Sequence, residues 1–220
     1  MDARSHISNW INSLPAEGRY TFTREEAEKA SGTSFVAVQS ALRRLKKKGL
    51  IVSPRRGFYV FVPPEYREAG SPPASWFIDD MMRFCQCKYY VGLLTAAALY
   101  GASHQKPMIF QALTNRLSAT MRAGRTVIQT RRSRSVGRFP TRRIQTETGA
   151  MTVSTPEATA LDLIRFSSAA GGWSNIVTVL IELSEQIDPM KLVETAEMGR
   201  LSDAQRLGYL MELFQQSSLA

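Results

Sequence analysis

TSFVAVQSALRRLKKKGLIV (residues 33–52), continued by SPRRGFYVFV (residues 53–62), decides the fold. Ser34 can cap a helix that runs to Lys48, and Gly49 supplies a left-handed stop. At about 100° per residue, Val38, Ala41, Leu42 and Leu45 share one face of that helix. Val36, Ser40, Arg43 and Lys47 lie opposite, flanked by Gln39 and Arg44. The first face predicts packing and the second an exposed polar surface. Leu50-Ile51-Val52 and Phe58 to Val62 then read as two strands around Ser53-Pro54-Arg55-Arg56-Gly57, a hairpin with two arginines at its tip.

Upstream, Ile7, Trp10, Ile11 and Leu14 recur at helical spacing, so a first helix is expected over residues 5–14, closed by Pro15 and Gly18. Tyr20 to Phe22 reads as a short strand. Thr23 followed by Glu26 is a capping box that opens a second helix, and Ser31-Gly32-Thr33 forms the turn before the third. Two helices, a glycine turn, a third helix and a basic hairpin make a winged helix-turn-helix. From Arg43 to Arg56 there are seven positive residues and no negative one, which points to a polyanion. Arg43 and Gln39 suit base edges, whereas Thr33, Ser34, Ser40, Arg44, Lys47, Arg55 and Arg56 complete a DNA-contacting set weighted toward phosphates. The stretch also resembles the winged-helix domains of prokaryotic regulators, in which a capped recognition helix leads to a basic wing.

The chain has 220 residues and a net charge of +9, unevenly placed. Residues 1–64 carry eleven Lys/Arg against five Asp/Glu, and residues 65–115 carry four of each. Residues 116–143 hold nine arginines and no acid, and residues 147–220 hold four bases against ten acids. The arginine block includes Arg131, Arg132, Arg134, Arg138, Arg142 and Arg143. Three readings of it stand side by side: further DNA contact, a surface for an acidic or RNA-bound protein partner, or internal pairing with the acidic region.

Pro63-Pro64 and AGSPPA (residues 69–74) predict a Pro-rich linker over 65–74 between a winged helix at 1–64 and a second domain at 75–220. Helices are expected at 76–84 and 89–100, and strands at 108–113, 126–130, 138–139, 143–146 and 151–153. A helix follows from Ser154-Thr155-Pro156-Glu157 to Phe166, then three more over 175–186, 189–198 and 203–215. The fold class expected is α+β: a winged helix, then a mixed α/β domain with a helical C-terminal end.

Catalytic signals are sparse. Cys85 and Cys87 lack companion zinc ligands, and His104 has no evident nucleophile. Glu157 and Asp162 fall about 140° apart on their helix, and no phosphate-loop, nucleophile-elbow or HExxH motif occurs. No enzyme, cofactor or metal is expected. No apolar run is long enough to span a bilayer, and MDARSHISNW has no signal-peptide core, so the cytoplasm is expected.

KYYVGLLTAAALYGASHQKP (residues 88–107), TGAMTVSTPEATALDLI (148–164) and RLGYLMELF (206–214) together resemble the AbiEi antitoxins of abortive-infection, type IV toxin–antitoxin systems. The resemblance implies an antitoxin that represses its own operon by binding inverted repeats in promoter DNA. It also implies opposition to a nucleotidyltransferase-like AbiEii toxin encoded beside it. The recognition helix maps onto residues 34–48 and the wing onto 53–57. It implies no residues for the antitoxin surface, so the arginine block rests on charge alone. Two alternatives remain open: a ligand-responsive transcription factor, or a nuclease targeted by a winged helix.

Overall fold

The computed structural model describes residues 3–102 and 107–217, with side chains for 7–102 and 107–213. Helix α1 (Ala3–Ser13) runs into a 3-10 turn over Leu14–Glu17, which Gly18 closes at φ 71°. Strand β1 (Thr21–Thr23) leads into α2 (Arg24–Ser31). Here Thr23 Oγ1 accepts from the Glu26 amide while Glu26 accepts from the Thr23 amide at 2.7 Å, so the expected capping box is formed. Helix α3 (Phe35–Lys47) is capped by Ser34, whose Oγ accepts from the Ala37 amide. Ile7, Ile11, Leu14, Phe22, Ala27, Val38, Ala41, Leu42, Leu45, Ile51 and Phe61 form one apolar core beneath these helices.

The wing differs in detail from its expected form. Strand β2 (Ile51–Arg55) continues through Ser53, Pro54 and Arg55, with an irregularity between Val52 and Arg55, and β3 (Phe58–Phe61) returns. The turn is therefore Arg56-Gly57, not a five-residue loop. Proline is tolerated because β2 is an edge strand in the order β1-β3-β2.

Two compact units divide the chain: residues 1–86 with 120–128 and 145–150, and the remainder. The first thus extends beyond the expected boundary at residue 65. Within it, the proline-rich stretch is packed rather than extended. Ser71 is buried and its hydroxyl donates to Thr126 Oγ1 at 2.9 Å, and Arg125 N donates to Ala69 O at 2.7 Å. Gly124 (φ 55°) is needed at this approach, since a Cβ there would stand 2.3 Å from Ala69 O. Helix α4 (Ile78–Phe84) follows a 3-10 turn at Ala74–Trp76. Thr21 Oγ1 donates to Asp80 at 2.6 Å, and Arg83 bridges both Asp79 and Asp80.

The second unit centres on strand β4 (Tyr89–Val91), antiparallel to β5 (Ile109–Thr114) and parallel to β9 (Gly149–Ser154). Within this unit the end of β7 (Thr126–Arg132) neighbours β5 and the start of β8 (Thr141–Thr146) neighbours β9, whereas all but the first residue of β6 (Ala119–Ala123) belongs to the first unit. From the sequence, residues 89–91 read as the start of a helix. They are a strand, and the helix is only α5 (Leu93–Leu99), because the backbone turns at Gly92 and Leu93 adopts φ 55°. Residues 138–139, expected as a strand, lie in a turn in which Phe139 is buried. Helix α6 (Pro156–Arg165) is capped by Thr155, and α7 (Trp173–Ser184), α8 (Pro189–Glu197, capped by Asp188) and α9 (Leu201–Ser217) complete the helical end. Helix α9 begins at Leu201, two residues before its expected start at 203. The fold is α+β, as the sequence predicts.

Candidate nucleic-acid interface

The sorting of α3 is sharp. Val38, Ala41, Leu42 and Leu45 are all below a tenth exposed, whereas Ser34, Gln39, Ser40, Arg43, Arg44 and Lys47 are exposed. Thr33 is half-buried, and its hydroxyl lies 3.0 Å from Ser31 Oγ, so it is held in the turn between α2 and α3. On the wing, Arg55 and Arg56 are both exposed, and Ser53 Oγ donates to Arg55 O at 2.8 Å across the irregular part of β2.

Arg19 and Arg24, beside and on α2, find acids within the same unit, which the cations of α3 and the wing do not among the described residues. Arg19 pairs with Glu26 at 2.7 Å, and Arg24 pairs with Glu28 at 3.2 Å while lying 5.0 Å from the Phe35 ring. Those pairs use acids of α2. Among the described residues, Arg43, Arg44, Lys46, Lys47, Lys48, Arg55 and Arg56 have no carboxylate within ion-pair distance. Without a paired acid among the described residues, these seven cations of one helix, its cap and the wing create a local positive field. The same face also carries an apolar residue that charge and hydrogen-bonding capacity do not single out: Val36, 68 % exposed.

A cleft of about 480 Å3 in the same unit is lined by Arg19, Tyr20, Thr21, Trp76, Asp80 and Arg83, among others. Its charged groups already satisfy one another through the Arg19–Glu26, Thr21–Asp80 and Arg83–Asp80 contacts.

The arginine block is placed very differently. Arg131 and Arg132 end β7, Arg134 and Arg138 sit in the following turn region, and Arg142 and Arg143 lie on β8. Arg132, Arg134, Arg138, Arg142 and Arg143 are exposed, while Arg131 is half-buried with its Nε shielded and unpartnered. Arg142 lies 4.2 Å from the Tyr100 ring centroid, and Arg143 donates to Thr152 Oγ1 at 3.0 Å. Among the described residues, Arg131, Arg132, Arg134, Arg138 and Arg142 form no ion pair with an acid of their own unit.

Polar groups instead occupy the interior of the second unit. Asp162 is fully buried on α6 and accepts from Tyr90 Oη at 2.7 Å, while its other carboxylate oxygen has no hydrogen-bond partner among the described residues. Burial pushes the Asp162 carboxyl up to about 7, against the opposing influence of Tyr90 and Arg165. Glu157, also buried, accepts from the Asp188 amide at 3.1 Å and so ties α6 to the start of α8. Among the described residues no group of three or more His, Cys, Asp or Glu is placed to hold a metal. His104 lies outside the described residues. Among the described residues no helix is long and apolar enough to cross a membrane.

Residues 90–213 match the family described as "AbiEi antitoxin C-terminal domain". Residues 12–62 match "Transcriptional regulator, AbiEi antitoxin". The crystal structure of the RV2827C protein from Mycobacterium tuberculosis is similar over 94 % of this chain and 76 % of that one, with TM-score 0.66 at 17 % identity. That likeness concerns the fold alone. The antibiotic-resistance factor ANT(2'')-Ia gives a TM-score of 0.38 at 9 % identity, covering 63 % of this chain and 94 % of that one, too low to carry an argument. Among curated proteins, none matches the chain.

Proposed function

The chain belongs to the AbiEi antitoxin family, and from that premise we propose that it represses its own operon and counteracts a nucleotidyltransferase-like toxin in the cytoplasm. The carrying observation is the unpaired cationic face of α3 and the wing, set opposite a fully apolar packing face. In this reading Arg43 and Gln39 address base edges in the major groove. Thr33, Ser34, Ser40, Arg44, Lys47, Arg55 and Arg56 fix the register through phosphates and sugars. Residues 1–64 supply the DNA contact, and residues 75–220 supply antitoxicity. The exposed arginines Arg132, Arg134, Arg138, Arg142 and Arg143, with Arg131 behind them, form the surface used against the toxin or its bound polyanion. Among the described residues Arg131, Arg132, Arg134, Arg138 and Arg142 have no ion pair with an acid of their own unit, which supports an outward role over internal charge pairing. A ligand-sensing role draws no support from the cleft beside Tyr20, whose polar groups are mutually engaged.

Footprinting of the full chain on the promoter upstream of its own gene tests the first half: paired protected half-sites are expected, and uniform protection of any DNA contradicts it. Co-expression with the neighbouring nucleotidyltransferase tests the second: growth is restored, and continued arrest contradicts antitoxicity.

A further inference from the structure

Val36 is the anomaly on the DNA-facing side of α3. It is 68 % exposed, the most exposed large apolar side chain among the described residues of the first unit. A β-branched residue gains little from an exposed helical position and leaves two methyl groups in water. Its azimuth explains the placement. At about 100° per residue, Arg43 and Lys47 each fall about 20° from Val36, one on either side of it, with Ser40 about 40° from Val36. Val36 therefore stands on the midline of the cationic face, in the first helical turn, the part of a recognition helix that enters the groove. The groove offers one apolar group to such a side chain, the C5-methyl of thymine.

We propose that Val36 is a specificity-determining residue that packs its methyl groups on a thymine methyl in each operator half-site. The inference rests on the DNA-reading role of α3. Helical rise sets the spacing: seven residues from Val36 to Arg43 span about 10.5 Å, or about three base-pair steps. The thymine thus lies about two to four base pairs from the base that Arg43 reads, with Gln39 addressing a base between them.

The test uses the footprinted operator with each thymine replaced in turn by deoxyuridine, which deletes the methyl and leaves base pairing intact. Full-length wild type and Val36→Ala are titrated against the series, with a melt of each protein as the folding control. At one thymine per half-site, the replacement weakens wild type about fourfold, the loss of one buried methyl contact. Val36→Ala binds the unmodified operator correspondingly less well and loses nothing further at that position. If every deoxyuridine operator weakens both proteins alike, Val36 does not read a methyl group and the inference is overturned, while DNA reading by α3 stands. If neither protein prefers the operator over random duplex, DNA reading itself fails and takes the inference with it.

Discussion

The two basic regions of this chain solve opposite problems. In α3 the helical period gathers the cations on one side of a single rigid element, and the apolar residues on the other side fix its orientation. In residues 131–143 the arginines are distributed over the end of one strand, a turn and the next strand, so each points where its own local backbone sends it. The interiors differ as well. The core under α3 is a continuous apolar cluster, whereas the second unit buries Asp162, Tyr90, Glu157 and Thr159 among its apolar residues. The lesson is that charge density alone does not define an interface. A periodic element backed by an apolar core presents a surface of fixed geometry, and scattered arginines present a field.

The largest effect that sharpens this contrast is expected at Leu42, buried beneath the cationic face. Leu42→Ala should cost about 2–5 kcal/mol and abolish promoter binding at temperatures where wild type binds. A thermal melt indistinguishable from wild type would show that the face is not anchored from behind.

Tyr90→Phe removes the donor to an already under-satisfied carboxylate and should cost about 1–3 kcal/mol. The same site makes stability depend on pH. Asp162 titrates near 7 when folded against an ordinary value of 3.8, so the folded chain holds the extra proton between these limits. More protons bound in the folded state means that stability falls as pH rises through this window. Relative to Asp162→Asn, wild type should therefore lose stability in denaturant melts taken between about pH 4 and pH 7. Parallel curves for the two proteins would refute a protonated buried carboxyl.

Charge reversal at Arg132 and Arg134 tests the scattered region without disturbing the half-buried Arg131. The double substitution to Glu should abolish growth rescue of toxin-expressing cells while moving stability by no more than about 0.5 kcal/mol per site. Full rescue would leave these arginines without a role in antitoxicity. The smallest effect belongs to Lys47→Ala. It should weaken all DNA alike and flatten the salt dependence by about 0.9 in log–log slope, and an unchanged slope would remove Lys47 from the phosphate contacts.

Much of the first sixty residues was legible because its signals are local. The Thr23 and Glu26 capping box, the Ser34 cap and the four-residue apolar face of α3 need no distant partner. Residues 89–91 were misread because what makes them a strand is remote: Tyr90 pairs with Leu113, and Val91 pairs with both Ala112 and Val153. The proline-rich stretch looked like a linker for the same reason, since Ser71 finds its partner 55 residues away at Thr126. Strand β6 was overlooked although its alternation was present, with Met121 and Ala123 buried on either side of exposed Arg122. Asp162 passed as an ordinary helical acid. Its setting between Ala160-Leu161 and Leu163-Ile164 was the available clue to burial. Val36 was placed on the correct face but not counted as a contact, because only its exposure shows that nothing within its unit covers it.

The central claim is that α3 reads sequence while the wing and flanking cations supply uniform affinity. It is tested most directly by titrating wild type, Arg43→Ala and Arg55→Ala against the operator and a random duplex at several salt concentrations. Arg43→Ala should lose about 1–3 kcal/mol on the operator and much less on random DNA, whereas Arg55→Ala should weaken both equally. Unchanged operator affinity in both variants would contradict the assignment of this face to DNA.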